Sequence, residues 1–219
     1  MREDEKEDLL LVFNQQSTLV DDPEPSRFVH SIEGEVRVLD VDDDEGVSAG
    51  EFRVILIDLE GAVNEGVDPD AVFDSEAVVH AYQTLYDEDL EFTPAVLKAI
   101  GGDDLWRPNL LILDRVALVP EVRGKGHGLW VLRWLVLQLA QGCGIVAMKP
   151  FPLQFESGSR EDPAQDRYRL ADLPADERSA THKLQRYYGR LGFTRVTGTE
   201  FMVLNPQSKR FLDAGKKLP

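Results

Sequence analysis

The chain has 219 residues, 42% of them apolar, and its 40 Asp and Glu against 24 Lys and Arg give a formal charge of −16 at pH 7. That length can form a packed core in one large or two small domains, whereas the acidity argues against a general nucleic-acid binder, because it repels phosphate backbones. A single Cys excludes a disulfide framework and a multi-cysteine zinc site. The charged start MREDEKEDLL lacks the basic segment and apolar core of a signal peptide, so we expect a cytoplasmic protein without a membrane partner.

The first segment is acidic and offers few residues that a core could bury. Pro23 and Pro25 stand among acidic residues and would end any helix that starts before them, so structure is expected to begin near Arg27. The expected organisation is a flexible acidic segment over residues 1–26, a single domain over residues 27–205 and a peripheral tail over residues 206–219.

Two strand-like runs follow, residues 35–41 and 52–59, and their short connection predicts a hairpin. The connecting Asp42-Asp43-Asp44-Glu45-Gly46 resembles half of a calcium loop. It lacks alternating ligands, and Arg53 stands where the closing Glu would be, so a solvated acidic turn is the better interpretation. The His residues are scattered singly along the chain, and no metal is expected.

Two helices are predicted next. One runs to Tyr86 with apolar side chains at helical spacing, and Asp74 or Ser75 would cap it. Thr93-Pro94 is typical of a second helix start, and that helix would end at Gly101-Gly102. We expect both helices to be scaffold.

The second half of the chain alternates buried strands with helices. The first is a strand over residues 110–119 that is buried on both faces, and it is followed by a helix from Leu129 to Gln141 that is apolar on nearly all sides. A strand over residues 145–148, a helix over residues 182–191 and a strand over residues 201–204 come next. Residues 156–180 are polar and interrupted by prolines, so we expect a mobile excursion or a lid.

The densest glycine cluster lies between the first of these strands and the helix after it, and reads Pro120-Glu121-Val122-Arg123-Gly124-Lys125-Gly126-His127-Gly128. Its glycines let the backbone turn tightly and approach a ligand. The amides that open a helix have no internal acceptor and carry the positive end of the helix dipole, so they suit phosphate. The Walker pattern would need Ser or Thr after Lys125, and the dinucleotide fingerprint would need two residues between Gly126 and Gly128, so neither fits.

This loop resembles the acyl-coenzyme A loop of the GNAT superfamily of N-acetyltransferases, which follows a strand ending in Val-Pro and reads Arg-x-x-Gly-x-Gly. A second segment, LQRYYGRLGF over residues 184–193, resembles the family's second signature, a helix that delivers a Tyr beside the thioester sulfur. The resemblance covers residues 110–204 and does not extend to residues 1–109. It implies an α/β fold with a mixed α+β sheet, in which the strands over residues 110–118 and 145–148 are neighbours that splay apart.

The resemblance also implies how coenzyme A would be held. The loop amides would bind its pyrophosphate, with Arg123 and Lys125 near its phosphates. The implied coenzyme-binding residues are Val116, Leu118, Val122, Arg123, Gly124, Lys125, Gly126, His127 and Gly128. His127 stands at a position that the family leaves open, and we expect it to be exposed at the helix start.

Two residues are implied as catalytic. Tyr188 would protonate the leaving thiolate, because a phenol stays protonated at neutral pH. Its neighbour Tyr187 lies about 100° around the helix, so its hydroxyl is expected to point elsewhere. Asp114 would be the base, where family members often carry Glu; pairing with Arg115 or another surface cation is the alternative. Cys143 is interpreted as a small residue at a helix end rather than as a nucleophile.

An acyl thioester is already activated, so an amine can attack it without a nucleophilic residue of the protein. We therefore expect an N-acetyltransferase that uses acetyl-coenzyme A and an unidentified amine, with a homodimer as one assembly state. Two alternatives stay open: a non-catalytic acyl-coenzyme A binding or regulatory module, and an acidic protein-interaction domain whose glycine loop is only a turn.

Overall fold

The computed structural model describes residues 8–15, 24–40, 43–73, 76–102, 107–156 and 166–218. The strands are β1 (Leu9–Asn14), β2 (Val29–Asp40), β3 (Asp43–Ile57), β4 (Leu110–Leu118), β5 (Ile145–Met148), β6 (Thr194–Arg195) and β7 (Met202–Leu204). The helices are α1 (Leu59–Asn64), α2 (Pro69–Val72), α3 (Glu76–Leu85), α4 (Pro94–Ile100), α5 (His127–Leu139), α6 (Glu177–Gly189) and α7 (Lys209–Ala214). Short 3-10 turns cover Pro25–Phe28, Pro120–Val122, Leu153–Phe155, Leu170–Asp172 and Gly215–Lys217.

Within the described residues, the seven strands form one sheet in the order β1-β2-β3-β4-β5-β7-β6. β4 and β5 run parallel and are joined through α5, and the other neighbouring pairs are antiparallel, so the sheet is mixed as expected. β4 pairs with β5 only from Leu110 to Ile112, opposite Ile145 to Ala147. After Ile112, β4 continues to Leu118 without β5 beside it. The prediction that these two strands are neighbours that part from each other is confirmed.

Helices cover both faces of the sheet. On one face, Leu113 lies in a buried cluster with Leu135 of α5 and Phe211 of α7. On the other face, Ile112 lies in a buried cluster with Leu85 of α3. The two cores therefore hold β4 from both sides, which fixes the position of the strand that leads into the glycine loop.

Helix α5 is less buried than its sequence predicted. Trp134 is 48% exposed, because this side of the helix faces solvent beside α7. Arg133 donates a hydrogen bond of 3.0 Å to the carbonyl of Phe211, which ties α7 to α5.

The described residues nearest to the two ends of the chain, 8–15 and 206–218, are built into the fold, contrary to the expected flexible segment and peripheral tail. β1 pairs with β2 from Leu9, opposite Val38, to Asn14, so structure begins well before Arg27. α7 places Phe211, which is fully buried, in the main core. These expectations were wrong because both segments are stabilised by partners that are distant in the sequence.

The predicted hairpin is confirmed and is longer than expected. Asp43 to Gly46, which were assigned to an acidic turn, belong to β3, with Gly46 in the left-handed region at φ 66°. Residues 41–42 lie outside the described part of the chain. The described residues contain no group of three or more His, Cys, Asp or Glu that could hold a metal ion.

The two scaffold helices are present as α3 and α4. The proposed caps of α3, Asp74 and Ser75, lie outside the described residues. α4 begins after Thr93 with Pro94 in its first turn and ends at Gly101, which has a left-handed φ of 75°. No helix in the described ranges is long and apolar enough to cross a membrane.

The segment expected to be a mobile excursion is packed where the structure describes it. Tyr168 is 1% exposed and clusters with Leu170 and with Ala117 of β4. Residues 157–165 of this segment lie outside the described part. The expectation was wrong because Tyr168 and Leu170 anchor the segment in a small apolar cluster, and the segment forms a wall beside the end of β4.

Candidate active site

A cavity of about 760 Å³ opens where β4 and β5 part. Its walls are residues 113–118 of β4, residues 123–126 of the glycine loop, one face of α6, and the segments 148–154 and 170–174. The predicted site residues that line it are Asp114, Val116, Leu118, Arg123, Gly124, Lys125, Gly126 and Tyr188. The two segments that carry the sequence resemblance therefore meet at one cavity.

The glycine loop presents unsatisfied amides at the start of α5. Gly124 and Gly126 have left-handed φ values of 81° and 89°, which favour glycine, and Gly126 caps α5. Among the described residues, the amides of Gly124, Gly126 and Gly128 have no hydrogen-bond acceptor. By contrast, the amides of Val122 and Arg123 donate to the carbonyls of Val119 and Pro120, so the predicted cradle is shorter than residues 122–128.

Arg123 is occupied within the protein. Its guanidinium donates to the carbonyl of Leu118 at 2.7 Å and to that of Tyr168 at 2.5 Å. Burial lowers the pKa of this guanidinium, against the charge of Glu121, which raises it. Arg123 therefore fastens the 166–174 segment to the glycine loop, whereas the sequence placed it at the phosphates of a ligand.

The cavity wall is cationic although the chain is acidic. Its charged lining residues in the described ranges are Arg115, Arg123, Lys125, Lys149, Lys183 and Arg190 against one carboxylate, Asp114. No described carboxylate pairs with Lys183 of α6 or with Arg190, the residue that follows the last turn of α6. An anionic ligand therefore meets cations on two walls, the glycine loop and α6.

Asp114 stands at a bulge in β4. Arg53 of β3 is opposite Arg115, and Val54 is opposite Leu113, so Asp114 has no partner in the strand register. Its carboxylate forms an ion pair with Arg53. The alternative of pairing with a surface cation is therefore what the structure has, and that cation is Arg53 rather than the neighbouring arginine.

Arg115 is held separately, by ion pairs to Glu51 at 3.3 Å and Glu156 at 2.5 Å. Both carboxylates lie beside the cavity, so this arginine joins β3, β4 and the segment after β5 into one wall.

Tyr188 lines the cavity from α6. Burial, and to a smaller extent the neighbouring Tyr187, raises the pKa of its hydroxyl well above the ordinary value for tyrosine. The phenol is consequently protonated throughout the neutral range, as a proton donor must be before it acts.

Tyr187 also lines the cavity, and its ring centroid lies 5.7 Å from that of Tyr188. The expectation for one other side chain was wrong. His127, expected at the surface, is only 9% exposed, because α5 packs this side of its first turn inward. Val122, His127 and Gly128 were also predicted to bind the coenzyme, and they are not among the residues that line the cavity.

Cys143 is buried between α5 and β5, and burial raises the pKa of its thiol to about 12. A thiolate is therefore scarce at neutral pH, in agreement with its interpretation as a packed small residue.

Sequence reasoning missed Lys183, Tyr187 and Arg190 as members of the site. Their spacing of i, i+4 and i+7 places them along one helical face, and this pattern was the signal that could have found them. Comparison with protein-family models, with curated proteins and with solved structures found no match for this chain.

Proposed function

We propose that the chain is an N-acyltransferase that moves an acyl group, of which acetyl is the simplest, from coenzyme A to an amine. One observation carries the proposal: the unsatisfied amides of Gly124 and Gly126, the gap between β4 and β5, and the Tyr188 side chain all belong to a single cavity.

The coenzyme fits this cavity by charge and by shape. Its pyrophosphate would accept hydrogen bonds from the amides of Gly124, Gly126 and Gly128 at the positive end of the α5 dipole. Lys125, Lys183 and the cations around them would balance its remaining phosphate charge. The acyl arm would then enter the gap beyond Ile112, where β4 exposes a backbone edge that β5 does not pair.

Because the thioester is already activated, the protein chiefly has to position the two substrates. The amine nitrogen attacks the thioester carbonyl, the carbon–sulfur bond breaks, and the sulfur leaves as a thiolate that takes the Tyr188 proton. The extra proton on the acylated nitrogen then returns to the Tyr188 oxygen. Asp114 is the carboxylate of the cavity wall that would accept the ammonium proton. Its carboxylate is already engaged in an ion pair with Arg53, so we assign most of the rate to holding the two substrates together.

A panel of amines with acetyl-coenzyme A, followed by release of free thiol, tests this proposal. We expect thiol release that requires both substrates, and Cys143 adds little background because its side chain is buried. The cavity would be unrelated to acyl transfer if calorimetry shows no binding of coenzyme A to the folded chain. The glycine loop would then be only a turn.

A second candidate function is a non-catalytic acyl-coenzyme A binding module. The observation that favours it is the engagement of Asp114 by Arg53, which leaves the cavity with no other carboxylate among its described lining residues. Tight binding of coenzyme A without turnover of any amine in the panel would make this the better assignment.

A further inference from the structure

Two adjacent tyrosines of α6 line the cavity, although the helix turns by about 100° between them. The rings of Tyr187 and Tyr188 are inclined by 60° to each other. Tyr188 has been assigned to the thiolate. The position of the Tyr187 hydroxyl indicates a different role for Tyr187.

The Tyr187 hydroxyl lies against the first turn of α5. A Cβ atom added to Gly128 would stand 2.8 Å from its oxygen and 3.6 Å from the ring carbon that bears it. Only a residue without a side chain allows this approach, which gives Gly128 a role apart from the bending of the loop. The hydroxyl therefore lies beside Gly128, whose amide is one of the three without an acceptor.

The O–H of Tyr187 is not used as a hydrogen-bond donor within the described part of the protein. Burial raises the pKa of Tyr187, while the backbone of Leu129 and the charge of Arg190 act on its oxygen in the opposite sense. The Leu129 N–H itself donates to the carbonyl of Gly126 at 2.9 Å. Among the described residues, no group accepts the O–H proton of Tyr187.

We propose that Tyr187 is a coenzyme-binding residue, whose O–H donates to the phosphate group held by the amides at the start of α5. The inference rests on the proposed function and adds a division of labour to it: Tyr187 binds the coenzyme, and Tyr188 takes part in the chemistry. A hydroxyl donor differs from the lysines around it, because its direction is fixed by the packed ring.

The test compares Tyr187→Phe with Tyr188→Phe, which removes the same atom from the adjacent residue. Binding of coenzyme A is measured by calorimetry and steady-state kinetics with acetyl-coenzyme A. Because Tyr187→Phe loses one hydrogen bond to a charged group, its affinity for coenzyme A should fall by about 10-fold or more, and its kcat should change little. Tyr188→Phe should show the reverse pattern.

Gly128→Ala is a second route to the same result, because the added methyl would displace the hydroxyl while both tyrosines stay in place. It should weaken binding as Tyr187→Phe does, and the double variant should be no weaker than either single variant. Thermal unfolding of each variant checks that the fold is kept.

Equal affinity of wild type and Tyr187→Phe for coenzyme A would overturn the inference and leave the proposed function standing. Equal losses in both tyrosine variants would also overturn it, since they would reflect packing of the pair. If the wild type itself does not bind coenzyme A, the proposed function fails and this assignment falls with it.

Discussion

Replacement of Arg123 by Met separates a structural role from a ligand-binding role at the glycine loop. The side chain of Met has a similar apolar stem and keeps part of the packing, but it cannot donate to the carbonyls of Leu118 and Tyr168. Both carbonyls would lose a charged donor, and the 166–174 segment would lose its link to the loop.

The size of the effect follows from these two bonds. A hydrogen bond from a charged donor contributes roughly 1.5–3 kcal/mol net, and part of this is offset by the partial exposure of the arginine and by its own desolvation. We expect Arg123→Met to lower the free energy of unfolding by about 2 kcal/mol. For a chain of this length that corresponds to a fall in Tm of roughly 4–8 °C.

The assay pairs thermal unfolding with calorimetric binding of coenzyme A, and Lys183→Met is the matched control. Lys183 lines the cavity without a described acidic partner, so its loss should leave Tm unchanged and weaken binding by roughly threefold to fivefold. If Arg123→Met instead keeps the wild-type Tm and weakens binding as the control does, Arg123 turns towards the ligand and the structural role assigned to it is wrong.

Four other outcomes are expected. Tyr188→Phe should lower kcat by roughly 100-fold or more while affinity for coenzyme A is kept, and an unchanged kcat would leave positioning alone as the source of rate. Gly126→Val should weaken coenzyme binding strongly, because a β-branched residue is strained at a φ of 89°; calorimetry with unchanged affinity would remove the cradle from the mechanism. Cys143 should resist thiol reagents at pH 8 in the folded chain, since its pKa of about 12 keeps the thiol protonated, and labelling should require unfolding. Phe211→Ala should cost about 3–5 kcal/mol in chemical denaturation, whereas a peripheral tail would give no change.

The sequence predicted the elements whose signals are local. α4 lies where Thr93 and Gly101 placed it, and the glycine loop lies between a buried strand and a helix. Each of these depends on backbone preferences of neighbouring residues, which a sequence displays directly. β4 and β5 were likewise recognisable as short apolar runs.

The errors concern partners that are far apart along the chain. The apolar run of β1 carries no alternation that marks it as a strand, and it is half-buried only because β2 lies beside it. The sequence shows the positive charge of Arg123 but not whether it binds a ligand or the protein itself. The structure assigns it to the protein, because the carbonyl of Tyr168, 45 residues further along the chain, lies beside the glycine loop and accepts its hydrogen bond. The angle of Tyr187 on the helix predicted only that its hydroxyl points elsewhere than that of Tyr188, and it did not indicate that both tyrosines line the cavity.

The order of the strands also has a consequence for how the chain folds. β2 and β3 are adjacent in the sheet and in the sequence, so their hairpin can form early. β4 is also adjacent to β3 in the sheet, but residues 58–109 separate the two strands in the sequence. Closing a loop of that length is slow in comparison, so we expect the β3–β4 pairing to follow the hairpin in time. Destabilising substitutions in the hairpin should then slow refolding, and substitutions in β4 should chiefly speed unfolding. The cavity wall would in that case be among the last parts of the sheet to assemble.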